Sequence, residues 1–279
     1  MNGTTETVVQ RAEARIEGGA VSYVTAGREG PAVLLLHGTY WSRAWLPVLR
    51  PLAEAGLRPF ALDFPGLGRS AGELDLETAA VPALADRAAE FASALGISGP
   101  VAVAGHDIGG AVAQHLLVHG RTEVSRLALV NSVTYDSWPV PGVARFRDPE
   151  VVAATTADEF LAARRRAVTT ALAGAATEQL VADYLDPLAD PRVQRSWMAL
   201  AGAADNRHTL DLVPGLRRST VPKLLVWGED DGFQRVEYAE RFASEIPRST
   251  LVRIPEAGHI PMENDSARTA RALIDFFAE

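Results

Sequence analysis

The chain has 279 residues, 47% of them hydrophobic and 22% charged, with no cysteine and a formal net charge of -8. That length suits one large domain or a core with an inserted subdomain, the missing cysteines exclude disulfides and thiolate metal sites, and the negative balance speaks against nucleic acid or an anionic membrane as partner. The opening MNGTTETVVQ is polar and has no apolar signal core, and no stretch approaches the roughly 18 consecutive apolar residues of a membrane span, so a cytoplasmic protein is expected.

Residues 14–17 and 20–26 flank Gly18-Gly19 and predict a hairpin. AVLLL (32–36) is apolar throughout, like a strand buried on both faces. SRAWLPVLRPLAEAG (42–56) predicts a helix with Ser42 as N-cap. RPFALDF (58–64) predicts a strand leading into the loop PGLGRSAG. VPALADRAAEFASALG (81–96) predicts an amphipathic helix closed by glycine. VAVAGHDIGGAVAQ (101–114) starts as a buried strand, and a helix over 110–119 and a strand over 126–132 follow. Residues 133 to about 216 break the rhythm. They are rich in Ala and Arg, carry several prolines and show helical patterns without a strand, while Trp138, Phe160, Tyr184 and Trp197 argue for packing rather than disorder. KLLVWGED (223–230), a helix near 235–245, TLVRIPEAG (250–258) and a helix near 264–278 complete the chain. The alternation predicts an α/β protein, a mostly parallel sheet with helices on both faces. Residues 1–132 and 217–279 are expected to form its core, and 133–216 an inserted helical lid.

Three segments fall at carboxyl ends of predicted strands, where open α/β sheets place their sites. They are Gly105-His106-Asp107-Ile108-Gly109-Gly110, VWGEDDGF (226–233) and PEAGHIPMEN (255–264). A fourth is LLLHGTYW (34–41). With these motifs in this order the chain resembles the α/β-hydrolases over nearly its whole length. Their G-x-S-x-G elbow carries serine, and Asp107 stands in its place. That substitution resembles the branch of epoxide hydrolases and haloalkane dehalogenases. The resemblance implies Asp107 as nucleophile, His259 as base, and Asp231 rather than neighbouring Asp230 as the acid orienting His259. It also implies an oxyanion hole made by the backbone N–H groups of Thr39 and Ile108. Taken singly, Asp107 reads more readily as a helix cap, His259 as a core histidine, and Asp230 and Asp231 as a solvated pair. His37 and His106 flank turns, His115, His119 and His208 sit in helical patterns, and no cluster reads as a metal site.

A carboxylate attacking an ester would form an anhydride, which is energetically poor. It suits displacement at saturated carbon, giving an alkyl ester of the enzyme that a histidine-activated water then hydrolyses. Haloalkane dehalogenases commonly have tryptophan after the nucleophile and often asparagine after His-Gly; here these are Ile108 and Thr39. Epoxide hydrolases donate lid tyrosines to the leaving oxygen, which points to Tyr184, with Trp138 or Tyr135 as the second donor. Their H-G-x-P pattern departs here to Tyr40, followed by Trp41. Tyr40, Trp41 and His106 are therefore expected to line an aromatic pocket for a bulky or flat substrate. The expectation is an epoxide hydrolase acting on a small molecule without a cofactor. Its alternatives are an epoxide-opening cyclase, a dehalogenase and a non-catalytic receptor. A homodimer is left open.

Overall fold

The computed structural model describes residues 7–120 and 122–278; the first six residues of the polar N-terminal stretch lie outside it. The expected hairpin is β1 (Val9–Ile16) and β2 (Gly19–Ala26), longer than its sequence pattern. Then come β3 (Ala32–Leu36), α1 (Leu46–Glu54), β4 (Arg58–Leu62), α2 (Val81–Ala94), β5 (Val101–Asp107), α3 (Ile108–His119) and β6 (Val124–Ser132). Seven helices follow: α4 (Pro141–Ala144), α5 (Pro149–Ala154), α6 (Ala157–Leu172), α7 (Glu178–Leu185), α8 (Pro191–Gly202), α9 (Arg207–Leu210) and α10 (Val213–Arg218). The chain closes with β7 (Lys223–Gly228), α11 (Val236–Glu245), β8 (Ser249–Ile254), α12 (Pro261–Asn264) and α13 (Ser266–Ala278).

The sheet runs β1-β2-β4-β3-β5-β6-β7-β8. β1, β2 and β4 pair antiparallel, and every pair from β4–β3 to β7–β8 is parallel. This is the α/β-hydrolase fold. Side chains alternate across the sheet with the period of two that strands impose. Leu34, Leu36, Val103, Leu127, Leu129, Leu225 and Trp227 face α2, α3 and α11. Val33, Leu35, Ala104, Ala128, Val130, Leu224 and Val226 face α1 and α13. Both faces are dry, which explains the unbroken apolar runs.

Ser42 does not cap α1. It opens a short 3-10 turn before that helix, its N–H donates to Asp63 Oδ1 at 2.7 Å, and its hydroxyl accepts from Arg11 at 3.2 Å. The buried Asp63 carboxylate claims the residue that would otherwise have capped. No helix among the described residues is long and apolar enough to cross a membrane.

Candidate active site

β5 ends on Asp107, whose backbone adopts φ 55° and ψ -127°. L-residues rarely occupy that region, at a cost of about 1–3 kcal/mol, and such strain marks functional turns. Gly109 allows the turn to lie against the end of β3, because a Cβ there would sit 2.6 Å from the His37 carbonyl oxygen. α3 begins at the next residue, Ile108. Asp107 makes no capping bond to α3. Instead its Oδ2 accepts from the Thr39 N–H at 2.9 Å and from the Thr39 hydroxyl at 2.7 Å. The sequence pointed to the first donor and missed the second. An ideal Cβ on Gly38 would lie 2.5 Å from the Ile108 nitrogen and 2.6 Å from Asp107 Oδ2, so glycine keeps this cleft open.

The other carboxylate oxygen, Oδ1, lies 4.0 Å from His259 Nε2. That is too long for a hydrogen bond, so the two groups do not share a proton. His259 Nδ1 is 2.8 Å from Asp231 Oδ2. Asn131, at the carboxyl end of β6, also donates to this oxygen at 2.7 Å. Asp231 Oδ1 accepts the N–H groups of Phe233 and Gln234 at 2.7 and 3.0 Å. Burial opposes ionisation of Asp231, but His259 and these donors outweigh it and hold its pKa below the ordinary value. Burial likewise works against protonating His259, yet Asp231 and Asp107 reverse this and its pKa stands above 6.5. Asp230 is exposed.

A cavity of about 450 Å³ opens over these groups. Asp107, Ile108, Thr39 and His259 meet there with Tyr40, Trp138, Phe146, Phe160, Trp197 and Phe233. Several expected lining residues are elsewhere. Tyr184 is buried outside the cavity lining, its hydroxyl donating at 2.9 Å to the Glu263 carboxylate, which also pairs with Arg43. Trp138 does line the cavity, but its indole N–H is spent on the Thr209 hydroxyl at 2.8 Å. Trp41 stands outside the reaction cavity, with the Arg11 and Arg69 guanidinium carbons 5.4 and 5.5 Å from its ring centroid. His106 is fully buried and Nε2 donates to the His259 carbonyl at 2.8 Å, so it braces the histidine loop instead of meeting substrate. Burial pushes its pKa down to about 4, so it is neutral. The Tyr135 hydroxyl lies 3.4 Å from Glu245, away from the site. His37 accepts the Phe64 N–H at 3.0 Å and is structural. Among the described residues no group of three or more His, Asp or Glu could hold a metal ion.

The reassignment of Tyr184 has a measurable consequence. Tyr184→Phe is expected to leave turnover within about twofold while removing one hydrogen bond to a charged group, typically about 1.5–3 kcal/mol. Steady-state kinetics and a thermal melt of the same preparation check this; a loss of turnover as large as that of a proton donor would return Tyr184 to the chemistry.

Residues 33–272 match the alpha/beta hydrolase family. The chain belongs to that family. This hydrolase is 31% identical over 258 residues to RutD of Variovorax paradoxus (strain S110), covering 90% of this chain and 92% of that one. It is 26% identical over 254 residues to a pimeloyl-acyl-carrier-protein methyl ester esterase of Vibrio vulnificus (strain YJ016), covering 89% and 94%. Among solved structures, the epoxide hydrolase CorEH superposes with a TM-score of 0.81 at 25% identity, covering 97% of this hydrolase and 99% of CorEH.

Two functional residues escaped the sequence reading. Asn131 bridges two strands, also accepting the Gly228 N–H at 2.9 Å. It sits at a strand's carboxyl end, the signal that found the other site residues. Arg164, on α6, lines the cavity although 7% exposed. Its signal was helical phase, because it shares the stripe of Phe160 and Val168.

Proposed function

We propose that this hydrolase opens an epoxide through a covalent ester on Asp107. The observation that carries the reading is the carboxylate at the elbow with its two oxygens in different surroundings. Thr39 holds Oδ2 with two donors, and Oδ1 faces the cavity side near His259 Nε2. In this reading Oδ1 attacks a ring carbon, the C–O bond breaks, and the released oxygen takes a proton. The ester's carbonyl oxygen is then Oδ2. His259 removes a proton from water, the water oxygen attacks Cγ, and Thr39 stabilises the charge that gathers on Oδ2; collapse then breaks the Cγ–Oδ1 bond, and Oδ1 leaves in the diol with the proton that His259 returns.

Donor placement favours oxygen over halide as the leaving atom. The indole N–H groups of Trp138 and Trp197 are both occupied, the latter by the Thr39 carbonyl at 2.8 Å. Ile108 offers no side-chain donor. The Tyr40 phenol lines the cavity, and burial raises its pKa, so it stays protonated. In our reading it replaces Tyr184 as acid, with the neighbouring Arg164 guanidinium favouring the phenolate left behind. CorEH supports an epoxide substrate by analogy of fold and printed activity; the esterase relative supports hydrolysis alone.

A single turnover of styrene oxide in ¹⁸O water tests the mechanism. The label is expected in Asp107 and not in the diol, because the diol's new oxygen comes from the carboxylate. Label in the diol after one turnover means direct attack by water and refutes the ester.

The reading also fixes a pH ordering. His259 must be neutral to act as base. In the free protein the Asp107 charge helps to raise its pKa. Alkylation removes that charge, so the ester-hydrolysis step is expected to fail at lower pH than the pKa of His259 in the free protein. Rapid-quench single-turnover profiles, compared with an NMR titration of the free imidazole, measure the two positions; the opposite order contradicts alkylation of Asp107.

A further inference from the structure

The cavity wall contains a guanidinium that, among the described residues, no carboxylate meets in an ion pair, although the Asp107 charge acts on it at longer range. Arg164 projects from the middle of α6 and is 7% exposed. One terminal N–H donates to the Thr39 carbonyl at a long 3.4 Å. Its Nε is buried without a hydrogen-bond partner. Among the described residues no carboxylate forms an ion pair with it within 4.0 Å. Its central carbon lies 4.1 Å from the Trp197 ring centroid and 5.7 Å from that of Tyr40. Arg43 and Arg11, by contrast, pair with Glu263 at 2.6 Å and Asp63 at 2.9 Å.

Taking a charge out of water without a counter-charge is costly, so buried cations are paired as a rule. A ligand can supply the missing anion. The guanidinium lines the cavity, and its planar fork matches a carboxylate in bidentate geometry. Arg145 and Arg166, both exposed, line the same cavity. Three arginines therefore meet a single acidic side chain, Asp107, in the wall of a protein whose net charge is -8. Away from Thr39, Tyr40, Gln234 and His259 the wall is apolar, with Val133, Trp138, Phe146, Phe160 and Phe233. One buried cation in such surroundings suits one negative charge, not a phosphate dianion.

We propose that Arg164 is a recognition site for a carboxylate on the substrate, which makes the substrate class an epoxide whose apolar or aromatic body bears a carboxylate group. The epoxide part rests on the reading of Asp107 given above; the carboxylate part rests on Arg164 alone. In the complex, the carboxylate accepts from the terminal N–H groups of Arg164, while the ring carbon meets Asp107 Oδ1. Arg145 and Arg166 draw the anion toward the cavity.

Phenylacetate and phenylacetamide are near-isosteric and unreactive, so they test the anion site without the chemistry. Tryptophan fluorescence should report binding, since Trp138 and Trp197 line the cavity. Phenylacetate is expected to bind the wild-type protein about 10–100-fold more tightly than the amide, the range for hydrogen bonds to a charged group. Arg164→Gln should bring that ratio close to one. If Arg164→Gln does not fold, Arg164→Lys carries the test, because lysine keeps the charge and loses the fork; the ratio should fall by roughly fivefold or more. Equal binding of the two probes, no saturable binding of phenylacetate, or a ratio indifferent to Arg164 overturns the proposal and leaves Asp107 untouched. A separate arm exposes His259→Gln protein to trans-3-phenylglycidate. Mass gained on Asp107 supports the full substrate class. No gain there, with the carboxylate preference intact, refutes the epoxide part and keeps the anion site.

Discussion

His259→Gln protein is expected to gain the mass of one substrate molecule, on Asp107, and to release almost no product. Two distances underlie this. Oδ1 lies 4.0 Å from His259 Nε2, so the imidazole does not hold the attacking oxygen and its loss leaves attack possible. Oδ2 keeps both Thr39 donors, at 2.9 and 2.7 Å, so the ester forms with its carbonyl oxygen already seated. What disappears is the base for water. General bases typically contribute about 10²–10⁴-fold, and the second step should slow by at least that much. Intact-protein mass spectrometry after styrene oxide, followed by peptide mapping, locates the adduct. Asp107→Asn should show none. Full turnover by His259→Gln with no adduct would remove His259 from the chemistry.

Asp231→Asn is expected to lower turnover by about 10²–10⁴, by analogy with loss of the correct tautomer in serine triads. The carboxylate accepts from His259 Nδ1 at 2.8 Å, fixing the proton there and leaving Nε2 free to act as base. An amide at this position can present its NH₂ and turn the imidazole to the wrong tautomer. The N–H groups of Phe233 and Gln234 still require an oxygen at the other position and so direct the NH₂ toward His259, where Asn131 loses its acceptor; the loss should appear chiefly in rate. Asp230→Asn, at an exposed position, should change turnover by less than about twofold, in keeping with surface substitutions. Equal losses in the two variants, or the reverse ranking, would overturn the assignment.

The sheet could be read from sequence because its central strands are dry on both faces, as Leu34-Leu35-Leu36 and Leu224-Leu225-Val226 illustrate. Asp107, Asp231 and His259 could be read because each follows a strand whose end is fixed by the sheet. The lining residues of the inserted helices could not, because there a side chain's direction depends on packing between segments far apart in sequence. Tyr184 illustrates this: its hydroxyl turns to Glu263, 79 residues away. Trp138 similarly meets Thr209, 71 residues away. Arg164 was legible in principle. Within ARRRA the charges look alike, but only Arg164 falls four residues from both Phe160 and Val168 on the buried stripe.

The Thr39 carbonyl accepts from Trp197 on α8 and from Arg164 on α6. Those two bonds join the helices between β6 and β7 to the loop after β3. Thr39 is therefore held at three polar groups at once, its N–H and hydroxyl by Asp107 and its carbonyl by Trp197 and Arg164. A substitution on either helix that removes one of these donors is expected to reach the Asp107 carboxylate through this single residue.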